Sequence, residues 1–256
     1  MSALTVRIDG RVAWLTLDKP PANAFDYWTY HELYDNITAL DADDEVYVIV
    51  IKANGRFFSG GNDVNEFANP TVAPEGDIPA DEIIDVALGS IGRTTKPVIA
   101  LVQGVAAGSG FCVAAYADIV VATPEARFGI PEVKRGIVGG APEAASVFPP
   151  KLARYLALTG DLIGADQAYA VGFVTSLVPA EQLIEEGRRI AESILGNPPL
   201  TVRLAKESLA NIYPPDRVAD QIAADAPRFV ASAATEDYQE AIHSFLEKRP
   251  PVFQRR

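Results

Sequence analysis

Lys96 to Gly110 reads KPVIALVQGVAAGSG, an apolar run that feeds a glycine-rich turn and then a helix. Val98 to Val102 is short, rich in β-branched residues and bounded by Pro97 and Gly104, which predicts a buried strand rather than an amphipathic helix. Gly104, Gly108 and Gly110 allow a close, side-chain-free approach, and FCVAAYA, Phe111 to Ala117, has the composition of a buried helix. The first N–H groups of such a helix lack intrahelical acceptors and point back into the turn, where developing negative charge would be stabilised. Simple glycine packing is the competing reading. The G-x-G-x-x-G spacing of a dinucleotide site is absent, and no Walker lysine follows.

Working outward, Leu4 to Leu17 alternates around Asp9-Gly10, which predicts a hairpin with a type I′ turn. KPPANAFD then forms a rigid loop. Asp26 is positioned to cap a helix to about Leu40, with Trp28, Leu33, Ile37 and Leu40 at helical spacing. Val46 to Ile51 reads as another buried strand. It runs into KANGRFFSGGNDVNEF, where Gly60-Gly61 precede Asn62-Asp63 and a helical pattern restarts near Val64, making a second strand–glycine–helix unit. Residues 68–79 carry three prolines and little periodicity, as lid loops do. A helix over about 80–93 leads back to the central stretch.

Past it come a strand over 118–122 and a Gly- and Pro-rich loop holding Glu132 and Glu143. Short helices over 151–158 and 165–171 and a last strand over 174–178 follow, then helices over about 180–195, 199–212, 216–232 and 235–247. Strand–helix alternation followed by a helical tail predicts a parallel-rich layered α/β core, residues 1–195, and a C-terminal helical region, 196–256, that serves as an oligomer surface. Trp14, Tyr213 and Tyr238 read as core or subunit-contact residues.

The chain has 256 residues, enough for a full core, and its 48% hydrophobic and 22% charged content is that of a soluble globular protein. A net charge of −12 argues against nucleic acid and anionic membrane as partners and favours a small-molecule ligand. A single cysteine, Cys112, excludes an internal disulfide. With no export pattern at the N-terminus, a cytoplasmic location is expected. Only His31 and His243 are present, so neither a histidine metal site nor a Ser-His-Asp triad has a starting point.

Taken together, GRFFSGGNDV, ALVQGVAAGSGFCVAAYADIVVAT and FGIPEVKRGIV resemble the crotonase (enoyl-CoA hydratase/isomerase) superfamily. The resemblance extends to KPPANAF, LTGDLIGADQAYAVGFVTSLVP and TEDYQEAIHSFLEKRPPVF, essentially the whole chain. It implies a spiral of β-β-α turns with a C-terminal helical region, assembly as trimers or paired trimers, and an acyl-CoA thioester substrate, with coenzyme A entering as part of the substrate and no separate cofactor. By position, the backbone N–H groups of Asn62 and Ser109 correspond to the family's oxyanion hole. Pro21, Ala22 and Ala24, with Asp63 and Val64, correspond to the segments that hold the CoA portion. Gly60, Gly108 and Cys112 line the substrate side, and Lys248 stands where family members approach the CoA phosphates.

Typical hydratases carry a glutamate on the helix after the second turn, and this chain has Cys112 there; a second family glutamate is kept as Glu132. Water addition normally uses both carboxylates, so a single one points towards an enoyl-CoA isomerase that shuttles one proton. The Gly61–Asp63 turn also resembles that of Δ3,Δ2-enoyl-CoA isomerases. Glu143 is either a base in a later loop, as in some isomerases, or a solvent-facing residue opening a helix. Asp63 also suits a helix cap, Lys248 a solvated helix end, and Cys112 a buried packing residue. Enoyl-CoA hydratase, a related acyl-CoA hydrolase or decarboxylase, and a catalytically silent acyl-CoA-binding protein are the alternatives.

Overall fold

In the computed structural model, which describes residues 2–69, 71–80, 82–212 and 215–254, the chain opens with an antiparallel hairpin of β1 (Leu4–Asp9) and β2 (Val12–Leu17). The turn residues are Gly10 and Arg11, not Asp9-Gly10, and only Gly10 has positive φ, which is the type II′ pattern. Next come α1 (Tyr27–Ala42), β3 (Val48–Ala53), α2 (Val64–Ala68), α3 (Ile83–Arg93), β4 (Val98–Val102), β5 (Val105–Ala107), α4 (Ser109–Tyr116), β6 (Ile119–Ala122) and β7 (Arg127–Gly129). A 3₁₀ turn over Pro131–Arg135 precedes α5 (Ala141–Val147), α6 (Pro150–Thr159), β8 (Ile163–Gly164), α7 (Ala165–Ala170) and β9 (Ser176–Leu177). The tail is α8 (Leu183–Leu195), α9 (Pro199–Ile212), α10 (Pro215–Ala233) and α11 (Glu236–Leu246). Among the described residues no helix is long and apolar enough to cross a membrane.

The larger sheet has the order β1-β2-β3-β4-β6-β9, parallel from β2 onward. From β2 to β6 both faces of the sheet are covered and the strands are buried along most of their length, whereas the edge strand β1 is exposed over most of its residues. Leu15, Ile49, Ile51, Ala100 and Val102 face α1, α3 and α4; the alternate residues Trp14, Val48, Val50, Ile99 and Leu101 face Leu183 and Ala191 of α8. Every residue of β4 is fully buried, worth roughly 1.5–3 kcal/mol for each large aliphatic side chain.

A second sheet, β5-β7-β8, stacks the functional turns beside one another. Isolated parallel bridges Phe25↔Asn62 and Ser59↔Ala106 extend it towards the two glycine-rich turns. The repeating unit is therefore a strand in the large sheet, a short strand in the second layer, then a helix: β4–β5–α4, then β6–β7–α5. β5, β7 and β8 escape a periodicity reading because two or three residues carry no period, and they exist only through pairing with distant strands.

On α1 the apolar stripe is Tyr30, Leu33, Ile37 and Leu40, whereas Trp28 is half exposed. Asp26 caps the helix by accepting from Thr29 N at 2.8 Å. Trp14 and Tyr238 are buried as expected of core residues, and Tyr213 lies outside the described residues.

Candidate active site

The site is assembled where the two glycine-rich turns meet. Ser59 N donates to Val105 O and Ala107 N to Ser59 O, both at 3.0 Å, so the first turn is laddered onto β5. Gly61 (φ +94°) and Gly108 (φ +54°) then approach so closely that a Cβ on Gly61 would lie 2.8 Å from Ala107 O. No other residue fits that contact. Beyond them stand Asn62 and Ser109, and neither backbone N–H donates to an acceptor among the described residues. Two such amides can receive an anionic oxygen.

β7 delivers the first carboxylate. Gly108 N donates to Gly129 O at 3.0 Å, which brings the 3₁₀ turn after β7 beside the second glycine turn. The Glu132 carboxylate lies directly over Gly108: a Cβ there would be 2.4 Å from Glu132 Oε1. Glu132 Oε2 is sealed from solvent and accepts no hydrogen bond among the described residues. Burial raises its pKa from 4.5 to about 7, opposed by its own amide and the nearby Arg135 charge and assisted by Glu143. Arg135 in turn sits 4.6 Å over the ring of Phe245, on α11.

Glu143, in the first turn of α5, is buried at 5% exposure and is not the solvent-facing residue that one sequence reading allowed. The packing of α5 on α4 sets its carboxyl against Cys112, and each group shifts the other. Burial is the main force raising Glu143 from 4.5 to about 7, with the Asp85 and Asp225 charges adding to it and its own amide and Cys112 opposing. The Cys112 thiol, buried and facing both glutamates, is held well above its ordinary pKa and stays protonated. A second carboxyl is therefore buried beside the one that the sequence singled out. Cys112 occupies one position, but Glu143 arrives from a different helix, within charge–charge reach of Glu132.

The remaining sequence-predicted positions separate. Gly60 N donates to Ala22 O at 2.8 Å, which ties the loop of Pro21, Ala22 and Ala24 to the first turn, with Pro21 exposed and the alanines half-buried. Asp63 is a helix cap: its Oδ1 accepts from Asn65 N at 3.0 Å and from Asn65 Nδ2 at 2.8 Å. Val64, also expected beside the CoA portion, is packed with Ile137, Tyr238 and Ile242, because α11 folds back over α2. Lys248 is exposed just past α11 and makes no ion pair among the described residues.

Four contributors lay outside the sequence reading. Asn23, buried within the loop of Pro21, Ala22 and Ala24, donates from Nδ2 to Asn54 O, Phe57 O and Phe58 O at 2.9, 3.0 and 3.2 Å and so fixes that loop. Its place in KPPANAF was the available signal. Asp85 on α3, raised to about 6 by burial against the pull of Arg93, adds a third acid. Arg135 and Tyr30 complete the set: Arg135 stands in the FGIPEVKRGIV motif, three residues after Glu132, and nothing in the sequence neighbourhood of Tyr30 marks it.

These buried acids make stability pH-dependent. For Glu132 and Glu143 the folded pKa is above the unfolded one, so between about pH 4.5 and 7 the folded state binds more protons. Their contribution is fully present below pH 4.5 and is lost as pH rises through 7. Thermal melts should therefore show Tm falling from pH 5 to 8, with the Glu143→Gln variant less pH-sensitive and more stable than wild type at pH 8. An equal slope in both would contradict the assignment.

Comparison with known proteins gives the family. The enoyl-CoA hydratase/isomerase family model matches residues 7–256. A 2,3-dehydroadipyl-CoA hydratase of Escherichia coli K12 is 34% identical over the full length of both chains, and a carnitinyl-CoA dehydratase of the same strain is 32% identical over 97% of each. Among solved structures, a carnitinyl-CoA hydratase from Mycobacterium avium superposes with TM-score 0.90 at 30% identity over 100% of both chains. An enoyl-CoA hydratase/isomerase from Pseudoalteromonas atlantica T6c gives 0.87 at 29% identity, over 98% of this chain and 99% of its own. With the crotonase fold shared from end to end and the family match spanning nearly every residue, this chain belongs to the enoyl-CoA hydratase/isomerase family.

Proposed function

We propose that the protein adds water reversibly across the double bond of a 2-enoyl-CoA thioester, with Glu132 and Glu143 as its acid–base pair and the Asn62 and Ser109 amides as its oxyanion donors. One observation carries this reading: a second carboxylate, Glu143, is buried against Cys112 and within charge–charge reach of Glu132. The hydratase and dehydratase names of the similar proteins support it.

In the addition direction the thioester oxygen accepts from the two amides. One carboxylate takes a proton from water as the water oxygen bonds to C3, and the double-bond electrons move onto the thioester as an enolate. The other carboxyl, protonated at the start, delivers its proton to C2 and the carbonyl re-forms. Two buried, mutually interacting acids near pH 7 suit this work, because one holds a proton while the other is free. The pair titrates as a unit.

Isomerisation of a 3-enoyl-CoA on one carboxylate is the second reading, favoured by Cys112, whose protonated thiol supplies no base. Assays with 2-enoyl-CoA and 3-enoyl-CoA separate the two. Hydration is expected to be the faster; isomerisation without hydration would replace the first reading with the second. Calorimetry should show an acyl-CoA bound more tightly than its free acid, and equal weak binding of both would end either reading.

The proposal includes assembly through the C-terminal helices into trimers or paired trimers. Leu200, Leu204 and Leu209 of α9 are exposed in the single chain, apolar surface that a neighbouring subunit would cover. Sedimentation should show three or six subunits, and a clean monomer at micromolar concentration would contradict it.

A further inference from the structure

We infer that Tyr30 is a positioning residue for the oxyanion donors, its hydroxyl clamping the side chain of Asn62 to that of Ser109 and so setting the separation of the two backbone amides. The inference rests on the acyl-CoA reading above.

The turns touch at Gly61 and Gly108, but backbone hydrogen bonds between them stop short of the two donors. The ladder between the turns ends at Ala107 N→Ser59 O, and past it both chains run through glycines at positive φ. Among the described residues no backbone hydrogen bond joins Asn62 to Ser109. Each is anchored elsewhere: the first turn to Phe25, through Phe25 N→Gly61 O at 2.9 Å and Asp63 N→Phe25 O at 2.7 Å, and the second to β7, through Gly108 N→Gly129 O at 3.0 Å. Small shifts of either anchor would move one donor relative to the other.

Side chains close the gap. Ser109 Oγ donates to Asn62 Oδ1 at 2.8 Å. The Tyr30 hydroxyl donates to the same Oδ1 and also meets Ser109 Oγ, in a close three-cornered contact. Tyr30 is itself immobilised on α1: it is 2% exposed, and its ring centroid lies 5.0 Å from that of Phe25, the residue whose backbone brackets Asn62. Two hydroxyl protons serve three oxygens, in surroundings dry enough to strengthen each bond. Removing the Tyr30 hydroxyl leaves one proton and one contact. The amides remain, but their spacing is no longer held.

The test uses the full-length protein and a bound acyl-CoA, reading the thioester carbonyl stretch by difference infrared spectroscopy alongside kcat and KM for 2-enoyl-CoA hydration. Wild type should lower the carbonyl frequency. Tyr30→Phe should return part of that shift and lower kcat by about 10-fold or more while KM changes by less than about 3-fold, since misplacement of a preorganised donor weakens the transition state most. In an Asn62→Ala, Ser109→Ala background, which keeps both amides, Tyr30→Phe should have no further effect on the band; a continuing effect would mark a packing role and overturn the inference. An unaltered band and kcat in Tyr30→Phe would overturn it too, and should that variant fail to fold, the same result in Ser109→Ala would do so. If wild type itself leaves the carbonyl at its free frequency, the oxyanion reading fails and the clamp with it. A shifted wild type beside an equally shifted Tyr30→Phe rejects the clamp alone.

Discussion

The Glu132→Gln and Glu143→Gln variants are each expected to lose about 100- to 10,000-fold in kcat for 2-enoyl-CoA hydration, the range over which a general acid or base contributes. In the proposed mechanism both carboxyls are required, because water supplies a proton to one while C2 takes a proton from the other. Glutamine keeps the volume and a hydrogen-bonding oxygen but neither accepts nor releases the proton. KM should move far less than kcat, since the proposed thioester grip lies on the Asn62 and Ser109 amides. Wild type should show a pH profile whose limbs reflect the two carboxyls near 7, and each variant should lose one limb. If Glu143→Gln keeps full activity while Glu132→Gln does not, a single carboxylate does the chemistry and isomerisation becomes the leading reaction. Tight binding of enoyl-CoA without turnover in wild type would make the protein a silent binder.

A second large effect is expected from Gly108→Ala, at roughly 100-fold or more in kcat. Gly108 adopts φ +54° and ψ −122°, a region that side-chain-bearing residues reach only with strain, and its new methyl group would lie 2.4 Å from Glu132 Oε1. Something must move, and the two objects available are the Glu132 carboxylate and the turn that carries the Ser109 amide. Either displacement separates proton transfer from charge stabilisation. Gly164→Ala is the matched control, because its added Cβ meets nothing within 4 Å and its φ is −78°. Comparable turnover in the two variants would show that the Glu132–Gly108 contact does not matter.

The family itself was legible in the linear motifs around the two glycine-rich turns, and the match over residues 7–256 agrees with that reading. β4, the hairpin and the Asp26 and Asp63 caps were also legible, because each is decided by neighbours in the chain: an apolar run between breakers, alternation about a glycine, a carboxylate two or three residues ahead of a free N–H. The same locality explains the errors. Trp28 has the spacing of the buried stripe on α1, yet Tyr30 fills the core, since which side of a tyrosine- and tryptophan-rich first turn faces inward depends on what α1 packs against. β7 is three residues long and is a strand only because β5 and β8 flank it.

The chemistry of the site divides in the same way. By itself the sequence determined that two glycine turns precede helices, and the family resemblance set Cys112 at the position of a typical hydratase glutamate. Only the tertiary structure decided that Glu143, 31 positions further on, is turned inward by the packing of α5 on α4, against Cys112 and within charge–charge reach of Glu132. It likewise brought Tyr30 from α1 to the junction of turns that it precedes by 32 and 79 positions. Contacts at such separations leave no period or spacing in the chain, because they depend on how whole elements pack and not on the geometry of neighbouring residues.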